Sequence, residues 1–129
     1  MIAIDTNVLI RILIDDPSAL EQCETARSFV VQAECLWISQ VVLIETLWVL
    51  ESAYHFKKLD ILMILEKITL HPQINVESSR RVSKAISLYA AHSVDFSDCL
   101  ILSAALDQKL ILHTFDRKLS KLDGAELLA

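Results

Sequence analysis

Four acidic residues in this chain are candidates for chemistry. Asp5 lies in MIAIDTNVLIRIL, Glu45 in SQVVLIETLWVLE, Asp98 in VDFSDCLILSAAL and Asp116 in LILHTFDRKLS. Carboxylates and water are the ligands that Mg2+ and Mn2+ prefer. Such ions activate water and neutralise charge developing on a phosphodiester. Like charges crowded together shift one another's pKa unless a cation balances them. A helix cap or a salt bridge is the competing explanation for each acid.

Asp5 directly follows an apolar run. It could simply cap the next helix, but Thr6 or Asn7 could cap equally well, leaving Asp5 for chemistry. Glu45 is surrounded in sequence by Leu43, Ile44, Leu47, Trp48, Val49 and Leu50, which reads as a helix buried on most sides. A buried carboxylate needs a partner, so a metal or a salt bridge is expected there. Asp95 and Asp98 are three apart at a helix start and face one side. Capping alone explains Asp95. Asp98 precedes a helix apolar almost all round, which favours a functional role. Asp116 fits an Asx turn after a strand, with Thr114 placed to support a water or ligand beside it.

The remaining candidates are weaker. His55, His71, His92 and His113 show no ligand spacing. No G-x-S-x-G elbow is present, and Gly124 is the one glycine, so no glycine-rich phosphate loop exists. Basic residues cluster as Lys57-Lys58, Arg80-Arg81-Lys84 and Arg117-Lys118-Lys121. Solvated faces are the default explanation for these. Arg117 and Lys118 directly follow Asp116 and are the best candidates for phosphate contact.

The elements that must position these acids alternate. Ile2–Ile4 reads as a short buried strand, followed by a helix over Val8–Ile14. Pro17 suits a new helix start, and Ala19–Gln32 is amphipathic, burying Leu20, Ala26, Phe29 and Val30. Cys35–Ile38 is a second strand. Ser39 caps a helix from Val41 to His55, and Asp60 caps another through Leu70. Ile74–Val76 is a third strand. Ser78 or Ser79 opens a helix with Val82, Ala85, Ile86 and Tyr89 on one face. A helix from Asp95 to Gln108, a strand over Leu110–His113 and an edge strand over Ala125–Leu128 complete the pattern. Alternation of this kind predicts an α/β fold with a parallel sheet covered on both faces. Ligands bind outside the carboxyl ends of such strands, where Asp5, Glu45, Asp98 and Asp116 could converge.

Composition sets the bounds. The 129 residues fit one domain, residues 1–129. Mean hydropathy is +0.44, leaving apolar side chains for a partner or a dimer interface. The net charge of −5 is not the footprint of a simple DNA-binding module. A metal among carboxylates would invert the local charge, so nucleic acid stays open. Cys23, Cys35 and Cys99 are odd in number and form no C-x-x-C, so reduced thiols in a cytoplasmic protein are expected. No membrane span is long enough, and Asp5 interrupts any N-terminal signal.

The segments IDTNVLIRIL, SQVVLIETLWVL, DFSDCLILSAAL and HTFDRKL resemble the PIN-domain family in order and spacing, over nearly the whole chain. Within it the chain looks most like the VapC-type toxins of bacterial toxin–antitoxin pairs. The resemblance implies a three-layer α/β/α sandwich with a central parallel sheet. It implies an Mg2+- or Mn2+-dependent endoribonuclease acting on RNA, often tRNA or a ribosomal RNA loop. By position, Asp5, Glu45 and Asp98 match the three family acids and Asp116 the more variable fourth. Thr6, Asn7, Asp95 and Thr114 match supporting positions. The surplus of apolar side chains suggests a homodimer and a cognate VapB-like antitoxin, with antitoxin anchors expected in a groove beside Glu45 and an Arg or Lys reaching the acids.

Two rivals stand beside this. An aspartate-dependent phosphatase expects a second Asp two residues after the first, where this chain has Asn7. A receiver domain expects an acidic pair upstream, and only four residues precede Asp5. A catalytically silent binding module with the same fold is the other rival, and the complete acid set argues against it.

Overall fold

The computed structural model describes residues 1–128. The chain forms two compact units, Met1–Glu77 and the remainder from Ser78 onward.

The first unit is built on parallel strands β1 (Ile2–Ala3), β2 (Leu36–Ile38) and β3 (Ile74–Val76), hydrogen-bonded in that order. Ile2 pairs with Leu36, and Leu36 with Ile74. The helices are α1 (Thr6–Leu13), α2 (Leu20–Gln32), α3 (Gln40–Ser52) and α4 (Lys58–Thr69). Parallel strands need a crossover between them, and α1 with α2, then α3 with α4, supply these. Leu9, Leu36, Ile38, Leu43, Leu50, Ile61, Leu65 and Ile68 are fully buried.

Caps fix the helix starts. Ser39 Oγ accepts from the Val42 N–H at 3.1 Å, as its type predicts. Asp60 is not the cap of α4. It lies inside the first turn, where its carboxylate accepts from the Lys57 N–H at 2.9 Å. Acid at that position satisfies the backbone just outside the helix and complements the dipole.

Three burial expectations fail. Leu20 is 62% exposed and Phe29 41%, because α2 turns Cys23, Ala26 and Val30 inward instead. Ile2 is 43% exposed, since β1 ends the three-stranded sheet and neither of its residues is buried.

The second unit comprises α5 (Ser79–Ala91), α6 (Phe96–Asp107) and the parallel pair β4 (Leu112–Thr114) and β5 (Ala125–Leu127). Tyr89 packs edge-to-face on Phe96, with ring centroids 5.8 Å apart. Ser103 Oγ donates to the Arg81 carbonyl at 2.7 Å, and Arg81 pairs with Asp107 at 2.7 Å. Gly124 has φ +94°, a conformation that strains any L side chain, and a Cβ there would also press on the end of the Leu106 side chain, so glycine suits this turn. The α/β class with parallel strands is as expected. Among the described residues no helix is long and apolar enough to cross a membrane. Cys23, Cys35 and Cys99 form no disulfide among the described residues.

Candidate functional site

In the first unit the carboxyl ends of β1 and β2 share one edge of the sheet, because the two strands run parallel. Asp5 leaves β1 at that edge and is exposed. Its Oδ1 accepts from the Val8 N–H at 3.1 Å, so Asp5 itself caps α1. The expectation that Thr6 or Asn7 would cap is corrected: Thr6 is buried as the first helical residue, and Asn7 follows it. The second Asp5 oxygen is outside this cap bond. A cleft of about 1070 Å3 opens beside it, lined by Asp5, Asn7, Arg11, Glu21, Glu24 and Phe29 among others.

Glu45 stands in the second turn of α3 and is exposed, contrary to the buried setting expected. Leu43, Thr46, Leu47 and Leu50 form the inward face of α3, and Val41, Glu45 and Trp48 lie on the other. Val41 is 73% and Trp48 66% exposed, so the apolar neighbours that suggested burial are themselves at the surface. A solvated Glu45 needs no partner to offset burial.

Glu77 follows β3 at the same edge and was not singled out from the sequence. The signal was there, since Glu77 follows its strand as Asp5 follows β1. Its Oε1 accepts from the Gln40 N–H at 2.8 Å and so closes the N-terminus of α3.

In the second unit the charges of Asp95 and Asp116 act on Asp98. Asp98 is half-buried in the first turn of α6. Burial raises its carboxyl pKa most, and the charges of Asp95 and Asp116 raise it further. Asp95 occupies the N-cap position of α6, yet its side chain makes no capping bond. Capping therefore does not account for Asp95. Asp116 follows β4, is exposed, and accepts from the Leu119 N–H through Oδ1 at 3.0 Å. The Asp116 N–H donates to Thr114 Oγ1 at 3.0 Å, so Thr114 braces the turn that presents Asp116. Arg117 and Lys118 are exposed on that turn.

Charge is divided unequally. Eleven of the 17 acids lie in the first unit, and seven of the 12 Lys and Arg residues lie in the second. Among the described residues no three His, Cys, Asp or Glu side chains are already arranged as a metal site. The donor chemistry in the second unit still fits a hard divalent cation. It is all oxygen, and a cation relieves the destabilisation that burial, Asp95 and Asp116 impose on Asp98.

A family model described as PIN domain matches residues 2–125, and the chain belongs to the PIN-domain family. A VapC ribonuclease of Aquifex aeolicus (strain VF5) is 32% identical over 98 residues, covering 75% of this chain and 73% of that protein. A solved toxin-antitoxin complex from Klebsiella pneumoniae aligns over 96% of this chain and 93% of the other at 18% identity, with a TM-score of 0.38.

Proposed function

We propose that this chain is a VapC-type endoribonuclease toxin that hydrolyses RNA phosphodiester bonds with Mg2+ or Mn2+. The observation that carries this is the 32% identity over 98 residues to a VapC ribonuclease. The charges of Asp95 and Asp116 beside half-buried Asp98 are in keeping with a cation held there.

Asp5, Glu45 and Asp98 are the proposed metal ligands, with Asp116 completing the set and Asp95 adding charge beside Asp98. When bound, the cation supplies Lewis acidity toward the phosphodiester. The protein's own groups do the positioning. The α1 cap holds one Asp5 oxygen and leaves the other available. Thr114 orients the backbone that carries Asp116. Arg117 and Lys118 hold the RNA backbone by phosphate contact. Asn7 lies on the wall of the Asp5 cleft, where it can orient substrate or water, while buried Thr6 anchors the start of α1.

The antitoxin reading rests on two surfaces. The Asp5 cleft carries Glu21 and Glu24 beside Phe29, which suits a basic side chain on an apolar anchor. Exposed Val41 and Trp48 flank Glu45 and offer an apolar ridge to an antitoxin or a second copy of this chain. The cytoplasm is the proposed location, in keeping with three cysteines that form no disulfide among the described residues.

The test is cleavage of total bacterial RNA by the purified, antitoxin-free chain with Mg2+, Mn2+ or EDTA, beside Asp5→Asn and Asp98→Asn. Discrete cuts that need metal and vanish in both variants are expected. Cuts that persist in EDTA and in the variants would overturn the assignment. A folded protein that makes no cut with either metal would favour the silent module.

A further inference from the structure

We infer that the cleft between α5 and the Lys121–Gly124 turn is a second RNA contact, seating one nucleotide of a single strand. This rests on the ribonuclease reading and extends it to a part of the molecule that the acids do not occupy.

One lysine from each of two basic clusters far apart in sequence lines this cleft, Lys84 and Lys121. Lys84 and Leu88 are four residues apart on one stripe of α5, and His92, the residue that ends the helix, lines the same space. Facing them are Lys121, Leu122, Asp123 and Gly124, and Leu106 of α6 also lines the space. The cavity is about 510 Å3, within the range of small-molecule sites. Its apolar lining is Leu88, Leu106 and Leu122, and its cations are Lys84 and Lys121, both exposed.

Among the described residues neither lysine has a carboxylate within ion-pair distance, although Asp123 lines the same cleft. Aliphatic lining beside two cations without a carboxylate partner suits a nucleotide, whose base presents a flat face to the leucines and whose phosphate is anionic. The excess of Lys and Arg over acids in this unit, against a strong acid excess in the other, favours the same polyanion. Gly124 holds the turn at φ +94°, a conformation that strains any side chain, and a Cβ there would press on the Leu106 side chain that lines the cleft.

The experiment measures the Kd of the full chain for a labelled single-stranded RNA across a salt series. Lys84→Gln, Lys121→Gln and the double variant are compared with Lys109→Asn, a control that removes a charge elsewhere in the same unit. Each single variant should weaken binding about threefold and the double about tenfold, with the salt slope shallower by roughly 0.7 per lysine. The control should keep the parent slope. Lysine variants that match the control would overturn the inference and leave the ribonuclease reading intact. A wild-type chain that neither binds nor cuts RNA would overturn both. Saturation of the Lys84 and Gly124 amide shifts by inorganic phosphate, with RNA affinity unchanged in the lysine variants, would assign the cleft to a free anion and overturn the RNA contact.

Discussion

The carboxylate of Glu77 accepts a hydrogen bond from the backbone N–H of Gln40 at 2.8 Å, so the residue leaving β3 closes the N-terminus of α3. The Glu77 N–H in turn donates to the Ile38 carbonyl at 2.9 Å. A charged acceptor at a helix N-terminus is stronger than a neutral cap. Glu77→Ala should therefore cost about 1 kcal/mol, read as a lower urea midpoint at unchanged slope. Metal-dependent activity per folded molecule should persist, because this carboxylate is engaged with the helix. Loss of metal affinity in a fully folded Glu77→Ala would instead make Glu77 a ligand.

Asp98 predicts the opposite pairing of effects. Its charged form is disfavoured by burial first, then by Asp95 and Asp116. Asp98→Asn removes that repulsion at similar volume. Metal-free stability at neutral pH should be unchanged or higher, by at most about 1 kcal/mol. Added Mg2+ should raise the melting temperature of the parent and not of the variant. A variant that melts well below the parent without metal would show that the carboxylate holds the fold together.

Much of this was legible in the sequence, for reasons that differ by element. β3 was readable at Ile74–Val76 because two β-branched residues alternate with Asn75 between Pro72 and Glu77. The Ser39 cap followed from a hydroxyl standing just ahead of an apolar periodic segment. Asp95 and Asp98 were placed together by their spacing alone. Glu45 was misjudged because α3 is apolar around most of its circumference. Periodicity then gives no direction to the buried side, and Val41 and Trp48 turned out exposed. The Asp5 cap was obscured by three adjacent residues of equal capping chemistry, of which the backbone selects one. The Glu77 bond spans 37 positions and joins two elements, which no local pattern encodes.

Asp16 gives a pH dependence. The Ser18 hydroxyl, the Tyr54 hydroxyl and the Ser18 N–H hold its carboxyl down at about 2, with Arg11 adding attraction. The Tyr54 bond is 2.7 Å and ties the chain after α3 to the turn after α1. A depressed folded-state pKa contributes stability above the unfolded value near 3.8, lost as pH falls toward 2. Urea midpoints should drop across that window in the parent. Asp16→Asn should flatten this part of the profile, and Tyr54→Phe should move the loss to higher pH. An unchanged profile in Asp16→Asn would mean that other carboxylates govern the acid limb.

Thr46 is fully buried on the inward face of α3, and its hydroxyl has no hydrogen-bond partner among the described residues. An unmet buried hydroxyl carries a desolvation cost of about 1–3 kcal/mol. Valine has nearly the same shape and helix propensity, so Thr46→Val keeps the packing and removes the cost. Stability should rise by about 1 kcal/mol, or a few degrees in melting temperature. Glu45 lies on the exposed face of the helix and Thr46 on the buried one, so metal affinity should not move. A fall in stability would mean that the hydroxyl is bonded in solution. A fall in metal affinity at unchanged stability would place Thr46 in support of Glu45.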